Sequence, residues 1–538
     1  MTLNGALVLT TLACIAQATT GRSLPTVDLG YEVHRAISYN VRSLRFSAPV
    51  PPRGVKSGIQ DGSVGKICPQ QSPDWTLIAT QFVTAWATGQ LPFNLTEAEV
   101  NLKNTPQPPP DPRTTEDCLV LDVIVPKAVL ERKSSGISGR KAPVVVWIYG
   151  GGYVSGSKES WGSPNEIISA SQEDGSDGII WVAMNYRLGV FGFLAGPSLQ
   201  ANGTANAGLH DQRLALQWVQ ENIVKFGGDP ENVTVMGQSA GAGSIMFHLI
   251  SQGGQPVPFK RAITQSIPLS IITDPSQQES NFQEFLSILN VTSLQKARQL
   301  PSNVLVAANS KQIRAAPYDQ FAFNPSVDGD LIPGAPTQLL LGGSFTQGIE
   351  LLSSHASYEG ALFVNPQTIG NDTALLQEFQ RLFPLVPKEK FIFMVESLYP
   401  SIYNGSYPYT SDVERAVLMM NEFFFAAAQQ TLLQETIYHG TAVYAYEFAV
   451  PPAIHGSDIP YTFYNGLTPN VDASVAVIIQ HAIAAFAKNG VPDKKPLSMG
   501  SWPRYGSNAT TLNLNVNSSV FYSDITWNNR TKSWAGIL

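Results

Sequence analysis

The sequence has few charged residues and no surplus of basic ones. Charged residues make up 14% of its 538 residues, and 41 acidic against 34 basic side chains give a net charge of −7. Lysine and arginine do not cluster, although such clusters are what binds nucleic acids and anionic membrane surfaces. The composition therefore argues against both kinds of partner. The 43% of hydrophobic residues are enough for a large folded core.

Long apolar runs are also missing, except at the start of the chain. Residues 6–16 form an apolar run that ends in Ala16-Gln17-Ala18, the kind of small residues that signal peptidase accepts. We expect residues 1–18 to be a signal peptide, with a buried N-terminal strand or helix as the alternative. No other run approaches the ~20 residues that span a bilayer, and no internal repeat divides the chain. Residues 19–538 are expected to form one secreted domain without a membrane anchor.

Cysteine is rare. Of three cysteines, Cys14 would leave with the signal peptide, so that Cys68 and Cys118 remain. In an oxidising compartment this pair predicts a disulfide, with two separate buried thiols as the alternative. The histidines and cysteines show no zinc-type spacing, and we expect neither a metal nor an organic cofactor.

Nine Asn-x-Ser/Thr sequons also fit passage through a secretory pathway. The sequon at Asn232 runs into a predicted strand, where a glycan could not be accommodated, and we expect it to be unmodified. The candidates for glycosylation are Asn94, Asn202, Asn290, Asn371, Asn404, Asn508, Asn517 and Asn529.

Short apolar runs that alternate with helical patterns indicate the fold class. Residues 211–226 place Leu216, Val219 and Ile223 at helical spacing and end at two glycines, a helix stop signal. The alternation predicts an α/β fold with a large, mostly parallel central sheet that helices cover on both faces. The runs that read as buried strands are 144–149, 178–184, 233–236, 349–352 and 442–450.

A serine lies where one of these strands gives way to a helix. Gly237-Gln238-Ser239-Ala240-Gly241 follows the run 233–236 and opens the apolar segment 242–250. Glycines flank such a serine because side chains there would collide with the neighbouring strand and helix. Backbone amides at the helix N-terminus favour negative charge. The pattern predicts a nucleophile at Ser239, although G-x-S-x-G alone is a weak signal.

A triple glycine strengthens this interpretation. The run 144–149 leads directly into Gly150-Gly151-Gly152-Tyr153. The amides of Gly151 and Gly152, with that of Ala240, could converge on one oxyanion. Taken by itself, the triple glycine could also be an ordinary flexible turn.

The series of motifs resembles the type-B carboxylesterase/lipase family, which includes cholinesterases and large secreted fungal lipases. The resemblance spans most of the chain from Arg45-Phe46 onward and implies the α/β-hydrolase fold, a Ser-Glu-His triad and ester hydrolysis. Besides the two glycine motifs, it is carried by Glu116-Asp-Cys-Leu119, Asn185-Tyr-Arg-Leu-Gly189, Phe226-Gly-Gly-Asp-Pro230 and Arg261-Ala-Ile263 with Gln265-Ser266.

His455 is the predicted general base. The fold places nucleophile, acid and histidine in that chain order, and among the histidines after Ser239 only His455 directly follows the end of a strand, the run 442–450. The residues from His455 to Tyr461 also look like the family's histidine loop. The other six histidines read as packing or loop residues: His34, His210, His248, His355, His439 and His481.

Glu359 is the predicted acid. It is followed by Gly360, as in the family's Glu-Gly loop, and would orient the imidazole. Asp328 and Glu350 remain as rivals. Ser266 and Asp458 match family positions that hydrogen-bond near the histidine and the acid, or are simply satisfied loop residues.

Several departures from the family bear on the substrate. Gln238 precedes the nucleophile where the family commonly has glutamate, and no second disulfide is possible because no cysteine follows Cys118. The loop between Cys68 and Cys118 resembles the lid of the lipases, and its segment 75–86 would be either an amphipathic lid helix or a helix packed permanently on the body. Its apolar face would carry Trp75, Ile78, Phe82 and Trp86.

The expected reaction is hydrolysis of a small-molecule or lipid ester, with water as the second substrate. The sequence leaves three alternatives open. They are a lipase acting on aggregated acylglycerols, an acyl transferase or tailoring enzyme that uses the same acyl-enzyme, and a non-enzymatic adhesion module. The complete set of Ser239, Glu359 and His455 argues against the adhesion module.

Overall fold

The computed structural model describes residues 37–38, 44–51, 65–105, 109–134, 140–493 and 500–538. The predicted signal peptide, with Cys14, and the histidine at position 34 lie outside these residues. The described part contains one sheet of ten strands. They are β1 (Ile37–Ser38), β2 (Val120–Ile124), β3 (Ala142–Ile148), β4 (Ile180–Met184), β5 (Gly228–Gln238), β6 (Arg261–Gln265), β7 (Glu350–Ala356), β8 (Val443–Phe448), β9 (Thr510–Leu514) and β10 (Val520–Ser523).

The sheet is parallel in its centre and antiparallel at its two ends. Its strand order is β1-β2-β4-β3-β5-β6-β7-β8-β9-β10. All neighbours from β4 to β9 are parallel, whereas β1 pairs with β2, β2 with β4 and β9 with β10 in antiparallel fashion. The predicted mostly parallel sheet is confirmed, and the five predicted strands correspond to β3, β4, β5, β7 and β8.

Helices flank this sheet. The helix α8 packs against β3, β5 and β6, α18 against β3 and β5, and α16 against β7 and β8. The α-helices of the described residues are α1 (Trp75–Ala87), α2 (Leu95–Asn104), α3 (Lys127–Ser134), α4 (Asn165–Gln172), α5 (Gly189–Phe193), α6 (Pro197–Gln200), α7 (Ala207–Asn222), α8 (Ala240–Ile250), α9 (Pro275–Ile288), α10 (Leu294–Arg298), α11 (Ser302–Arg314), α12 (Pro336–Leu341), α13 (Asp372–Leu382), α14 (Lys388–Phe393), α15 (Asp412–Asn421), α16 (Ala427–Tyr438), α17 (Ile459–Thr462), α18 (Ala473–Asn489) and α19 (Asn529–Ile537).

Short helical turns of other types complete these elements. The 3₁₀ turns are Ile223–Phe226, Ser251–Gly253, Glu359–Phe363 and Pro366–Thr368, and the π-helical turns are Met394–Leu398 and Glu422–Ala426. The last of them joins α15 to α16. None of the helices in the described part of the chain has the length and apolarity needed to span a bilayer.

Local sequence explains where the long helices begin and end. The predicted helix 211–226 is α7, which starts four residues earlier and tightens into the 3₁₀ turn Ile223–Phe226. Gly227 follows with φ 86°, a left-handed conformation that glycine adopts freely. At the start of α18, the Asp472 carboxylate accepts hydrogen bonds from the amides of Ser474 and Val475, as expected of an N-cap.

The loop between the two cysteines is tied to the body at several points. Cys68 and Cys118 form a disulfide. The segment predicted as an amphipathic helix is α1, and its side chains Trp75, Ile78 and Phe82 are buried. The indole N–H of Trp75 donates to the carbonyl of Gln320 at 2.7 Å. In this structure the apolar face of α1 therefore packs against the body of the protein.

Candidate active site

Ser239 lies in a sharp turn between β5 and α8. Its backbone has φ 54° and ψ −126°, a conformation that costs free energy for a residue with a side chain. Two hydrogen bonds hold it: the Ser239 amide donates to the Gln265 carbonyl at 2.9 Å, and its carbonyl accepts from the Gly243 amide at 2.8 Å. The turn places the serine at the carboxyl end of the central strand, where α/β sheets gather ligands.

The glycines around this serine are required by close backbone contacts. A Cβ on Gly241 would lie 2.0 Å from the carbonyl oxygen of Ile148, and one on Gly237 would lie 2.5 Å from the carbonyl carbon of Gly241. No side chain fits at either distance. The motif thus lets α8 start directly against β3 and β5.

The three predicted triad residues lie together. His455 Nε2 is 2.7 Å from the Ser239 Oγ, and His455 Nδ1 is 2.5 Å from Glu359 Oε2. The imidazole is 9% exposed, and the Glu359 side chain is fully buried. Glu359 follows β7 and His455 follows β8, and these strands are neighbours in the sheet. The distances fit a proton path from the serine to the imidazole, with the carboxylate orienting the ring.

The environment keeps Glu359 ionised. Burial raises the pKa of this carboxyl, but the charge of His455, its hydrogen bond, the amide of Ala356 and the hydroxyl of Ser266 together hold the pKa below its ordinary value. The Ala356 amide donates to Glu359 Oε1 at 2.6 Å. The buried Ser266 hydroxyl faces the same carboxylate without reaching hydrogen-bond geometry. An ionised Glu359 can accept a hydrogen bond from the Nδ1–H group and so fix the tautomer of His455.

Asp458 is a second buried carboxyl beside the triad. Its burial and the charge of Glu359 raise its pKa to about 7, against a smaller opposing effect of His455. Asp458 Oδ2 accepts a hydrogen bond from the Gln265 side chain at 3.0 Å, and its Oδ1 has no partner among the described residues. Near neutral pH, therefore, one of the two neighbouring carboxyls is ionised and the other holds a proton part of the time.

The glycine loop after β3 faces the nucleophile. Gly151 and Gly152 have φ 119° and 61°. A Cβ on Gly151 would lie 2.2 Å from the Ser155 carbonyl oxygen, and one on Gly152 would lie 2.3 Å from Cε1 of Phe321. Within the described part of the chain, the amides of these two glycines donate to no backbone carbonyl. Ala240 is the first residue of α8, so its amide has no carbonyl of the same helix to donate to. These three amides are the ones predicted to bind an oxyanion.

Gln238 is buried beside the nucleophile. It is 2% exposed, and its Nε2 has no partner among the described residues. Its Oε1 lies 3.0 Å from the position that a Cβ on Gly150 would take, and its Nε2 lies 4.0 Å from the corresponding position on Gly456. The carboxamide therefore lies between the start of the glycine loop and the loop of His455.

The rivals for the acid lie elsewhere. Glu350 is at the opposite end of β7 from Glu359 and pairs with Arg261 at 2.6 Å. Asp328 accepts a hydrogen bond from the side chain of Asn206 at 2.7 Å. Neither contacts His455. Across the described residues, no group of three or more histidine, cysteine or acidic side chains is arranged to hold a metal ion.

The other histidines after Ser239 have contacts of their own. His248 is fully buried and its Nε2 lies 2.8 Å from the Gln212 side chain; burial lowers its pKa to about 3. His439 packs on Phe345, and His481 lies 3.1 Å from Glu173. His355 belongs to β7. Their positions agree with the packing and loop roles predicted for them.

Aromatic rings that sequence reasoning missed line the imidazole. Phe425 lies 4.8 Å from His455 between ring centres, and Phe363 lies 5.5 Å away. Phe363 follows Glu359 by four positions in the sequence, where nothing marks it as a contact of His455. No sequence signal marks Phe425, because its place depends on the π-helical turn Glu422–Ala426.

Known proteins resemble this chain in sequence and in fold. Carboxylesterase patB of Penicillium expansum is 38% identical over 544 residues, with 95% of each chain covered. Lipase 2 of Diutina rugosa is 28% identical over 90% of this chain and 88% of its own. A solved PNB esterase matches with a TM-score of 0.72 at 26% identity, over 95% of this chain and 99% of its own. The model of the carboxylesterase family matches residues 20–534.

The chain belongs to the carboxylesterase family. The predicted resemblance to that family is confirmed, and so is the α/β-hydrolase fold, since the solved relatives are esterases of this fold. The protein is a carboxylic ester hydrolase.

Proposed function

We propose that the protein is a secreted serine carboxylesterase that forms an acyl-enzyme on Ser239. The observation that carries the proposal is the hydrogen-bonded series Ser239–His455–Glu359, with separations of 2.7 and 2.5 Å. Small-molecule or lipid esters are the proposed substrates, and water is the second substrate.

In the first half of the reaction, His455 Nε2 takes the proton of the Ser239 hydroxyl while Oγ attacks the ester carbonyl carbon. Negative charge then develops on the carbonyl oxygen. The amides of Gly151, Gly152 and Ala240 are the proposed donors to that oxygen, and each such donor typically contributes 10²–10³-fold in rate. When the tetrahedral intermediate collapses, the alcohol leaves with the proton from His455, and Ser239 remains acylated.

In the second half, water takes the place of the alcohol. His455 removes a proton from water, whose oxygen attacks the acyl carbon. Collapse of the second intermediate releases the carboxylic acid and returns the proton to Ser239. The ionised Glu359 stabilises the imidazolium in both halves, because opposite charges lie 2.5 Å apart in a buried site.

Substitution of the nucleophile tests the proposal. We expect Ser239→Ala to abolish cleavage of a panel of esters while the protein stays folded, because the glycine-framed turn is unchanged. An organophosphonate should label the wild type at Ser239, as mapped by peptide mass spectrometry. Labelling of the variant at the wild-type rate would refute the assignment, and a wild-type protein that turned over none of the esters would favour an adhesion module.

Secretion is part of the proposal and rests on three features. The chain begins with the predicted signal peptide, Cys68 and Cys118 are bonded, and the asparagines of all eight candidate sequons are exposed. Release of the processed protein into the medium, with an N-terminus near residue 19, would support it. Retention of an unprocessed chain inside the cell would contradict it.

Lipase activity is the second candidate. Leu77, Leu91 and Val100, all in the loop between the cysteines, are exposed apolar side chains, and such a surface could meet aggregated substrate. Rates measured below and above the aggregation concentration of one ester separate the two activities. A jump in rate at aggregation indicates a lipase, whereas simple saturation indicates an esterase. Product analysis with added alcohols detects acyl transfer.

A further inference from the structure

The π-helical turn Glu422–Ala426 packs against His455 of the proposed triad. It interrupts the long helix formed by α15 and α16, and the Ala427 amide bonds to the Glu422 carbonyl five residues back. Such a turn holds one extra residue, shifts the helix face that follows, and is frequent at functional sites. Its placement next to His455 calls for a physical explanation.

The turn presents one ring to the imidazole. Phe425, 1% exposed, lies 4.8 Å from His455 with an angle of 37° between the ring planes, and Phe363 meets the same imidazole edge-on at 5.5 Å. The two phenylalanines also contact each other at 5.4 Å. His455 is thus confined by two aromatic rings, in addition to its hydrogen bonds to Glu359 and Ser239.

The same region also contacts the segments that follow Glu359 and Ser266. The carbonyl of Phe424 accepts a hydrogen bond from the Leu269 amide at 2.6 Å, just beyond Ser266. At the end of α15, the Asn421 amide nitrogen would lie 2.3 Å from a Cβ on Gly360, the residue after Glu359. The turn therefore packs directly on the loops of both Glu359 and Ser266.

A buried ion pair holds the turn in place. The Glu422 carboxylate, 4% exposed, accepts two hydrogen bonds from Arg530 of α19, each of 2.7 Å. It also accepts from the Tyr399 hydroxyl at 2.5 Å and from the Asn528 side chain at 2.9 Å. Such bidentate pairs fix geometry as well as charge. The C-terminal helix is thereby connected, through one carboxylate, to the ring that touches His455.

We propose that the turn Glu422–Ala426 positions the catalytic base, with Phe425 as the positioning residue and the Glu422–Arg530 pair as its anchor. This inference rests on the proposed function. A ring face attracts a nearby cation, so Phe425 also favours the imidazolium that forms when Ser239 loses its proton. The other groups that interact with the charge of His455 are Glu359 and Asp458.

Phe425→Leu tests the inference, with Phe285→Leu as its matched control. Phe285 of α9 is equally buried, but its ring packs on Phe46, outside the turn and away from the imidazole. We expect Phe425→Leu to lower kcat about tenfold or more with KM within about threefold, as for a misplaced catalytic group. The acid limb of its pH–rate profile should move to lower pH by about half a unit.

Phe285→Leu should lower the Tm while kcat and the pH profile stay at the wild-type values. If Phe425→Leu keeps the wild-type kcat and profile, or if Phe285→Leu changes both equally, the inference is wrong. The rate of Ser239 labelling by the organophosphonate is measured in parallel. Labelling that is slow but still confined to Ser239 separates a misplaced base from failure of the proposed nucleophile.

Arg530→Lys keeps the inference testable even if the phenylalanine variant does not fold. Lysine retains the charge but not the two parallel hydrogen bonds to Glu422. We expect kcat to fall about threefold with little change in KM, and the double variant with Phe425→Leu to lose no more than Phe425→Leu alone, since both act through one turn. A wild-type kcat for Arg530→Lys would overturn the anchoring role, and additive losses would contradict the shared path.

Discussion

Two buried carboxyls interact with His455 and have pKa values displaced in opposite directions. The pKa of Glu359 lies below its ordinary value because hydrogen bonds and the nearby imidazole outweigh burial. The pKa of Asp458 is raised to about 7 because burial and the charge of Glu359 are not compensated. Two carboxyl groups in one buried site cannot both be ionised without a cost in free energy. As long as Asp458 is uncharged, Glu359 can stay ionised without a second negative charge beside it.

Asp458→Asn should change how stability depends on pH. The folded protein keeps the Asp458 proton until about pH 7, whereas the ordinary value is 3.8, so this carboxyl lowers stability progressively as pH rises from about 4 to about 7. The variant lacks that loss. Its free energy of unfolding relative to wild type should rise across the window by about 4 kcal/mol and stay constant above it. Denaturant titrations at several pH values measure the difference, and a difference independent of pH would contradict the raised pKa.

Gln238 defines the charge preference expected of the site. It lies next to the nucleophile and offers a dipole where a glutamate would offer a charge, and a cation a few ångströms from a carboxylate gains on the order of 1 to 4 kcal/mol before desolvation. We expect the wild type not to prefer cationic esters over neutral isosteres. Gln238→Glu should raise kcat/KM for the cationic ester relative to the neutral one, most at low ionic strength.

The same variant should move the acid limb of the pH–rate profile upward, since a nearby anion favours the imidazolium. Gln238→Met is the uncharged control and should leave the ratio of the two esters unchanged. A wild-type preference for the cationic ester that vanishes with added salt would show that another anion faces the substrate.

Among the strands, those with continuous apolar runs were predictable and the others were not. The runs 144–149 and 442–450 correspond closely to β3 and β8, because strands buried on both faces need apolar side chains throughout. Strand β6 has Arg261, Thr264 and Gln265 among its five residues, and their side chains hydrogen-bond to residues distant in sequence such as Glu350, Ser353 and Asp458. The sequence around β6 does not indicate these distant partners, so the strand could not be predicted from it.

The candidate site was predictable for a related reason. Its glycine loop, nucleophile, acid and base follow β3, β5, β7 and β8, so motifs at strand ends meet at one edge once the strands align in parallel. Phe425 was not predictable, because a π-helical turn arises from tertiary anchoring rather than from the spacing of apolar residues. The anchoring residues Glu422 and Arg530 are 108 positions apart.

Gly241→Ala should damage the junction of β3, β5 and α8. Its Cβ would lie 2.0 Å from the Ile148 carbonyl oxygen, so α8 must move away from β3 and take the Ala240 amide with it. We expect kcat/KM to fall about 100-fold or more, with a loss of about 1 to 3 kcal/mol in stability from the overpacked contact. Gly536→Ala in α19 is the control, since nothing lies within 4 Å of its Cβ position. Unaltered activity in Gly241→Ala would show that the helix can shift without affecting the site.

Across the whole molecule, the sheet order determines where the proposed chemistry and the surface features lie. β3, β5, β6, β7 and β8 are consecutive neighbours, and their carboxyl ends bear the proposed catalytic loops. The asparagines of the eight candidate sequons are exposed, whereas the ninth sequon begins inside β5 with a half-buried asparagine. A glycosyltransferase can reach the eight exposed asparagines more easily than Asn232, which the folded strand half-buries.

Asn232 should therefore carry no glycan. Its side-chain oxygen accepts a hydrogen bond from Arg261 at 2.5 Å, and Arg261 also pairs with Glu350 at 2.6 Å. A glycan on the Asn232 amide would have to fit beside this pair at the start of the buried strand. Glycopeptide mass spectrometry should find glycan on several exposed sequons and none on Asn232. As a paired test, Asn94→Gln should lower the mass of the glycoprotein if that site is used, whereas Asn232→Gln should leave the mass of attached glycan unchanged but reduce the Tm. Stoichiometric glycan on Asn232 would mean that the chain is modified before β5 joins the sheet and that the folded strand accommodates the sugar.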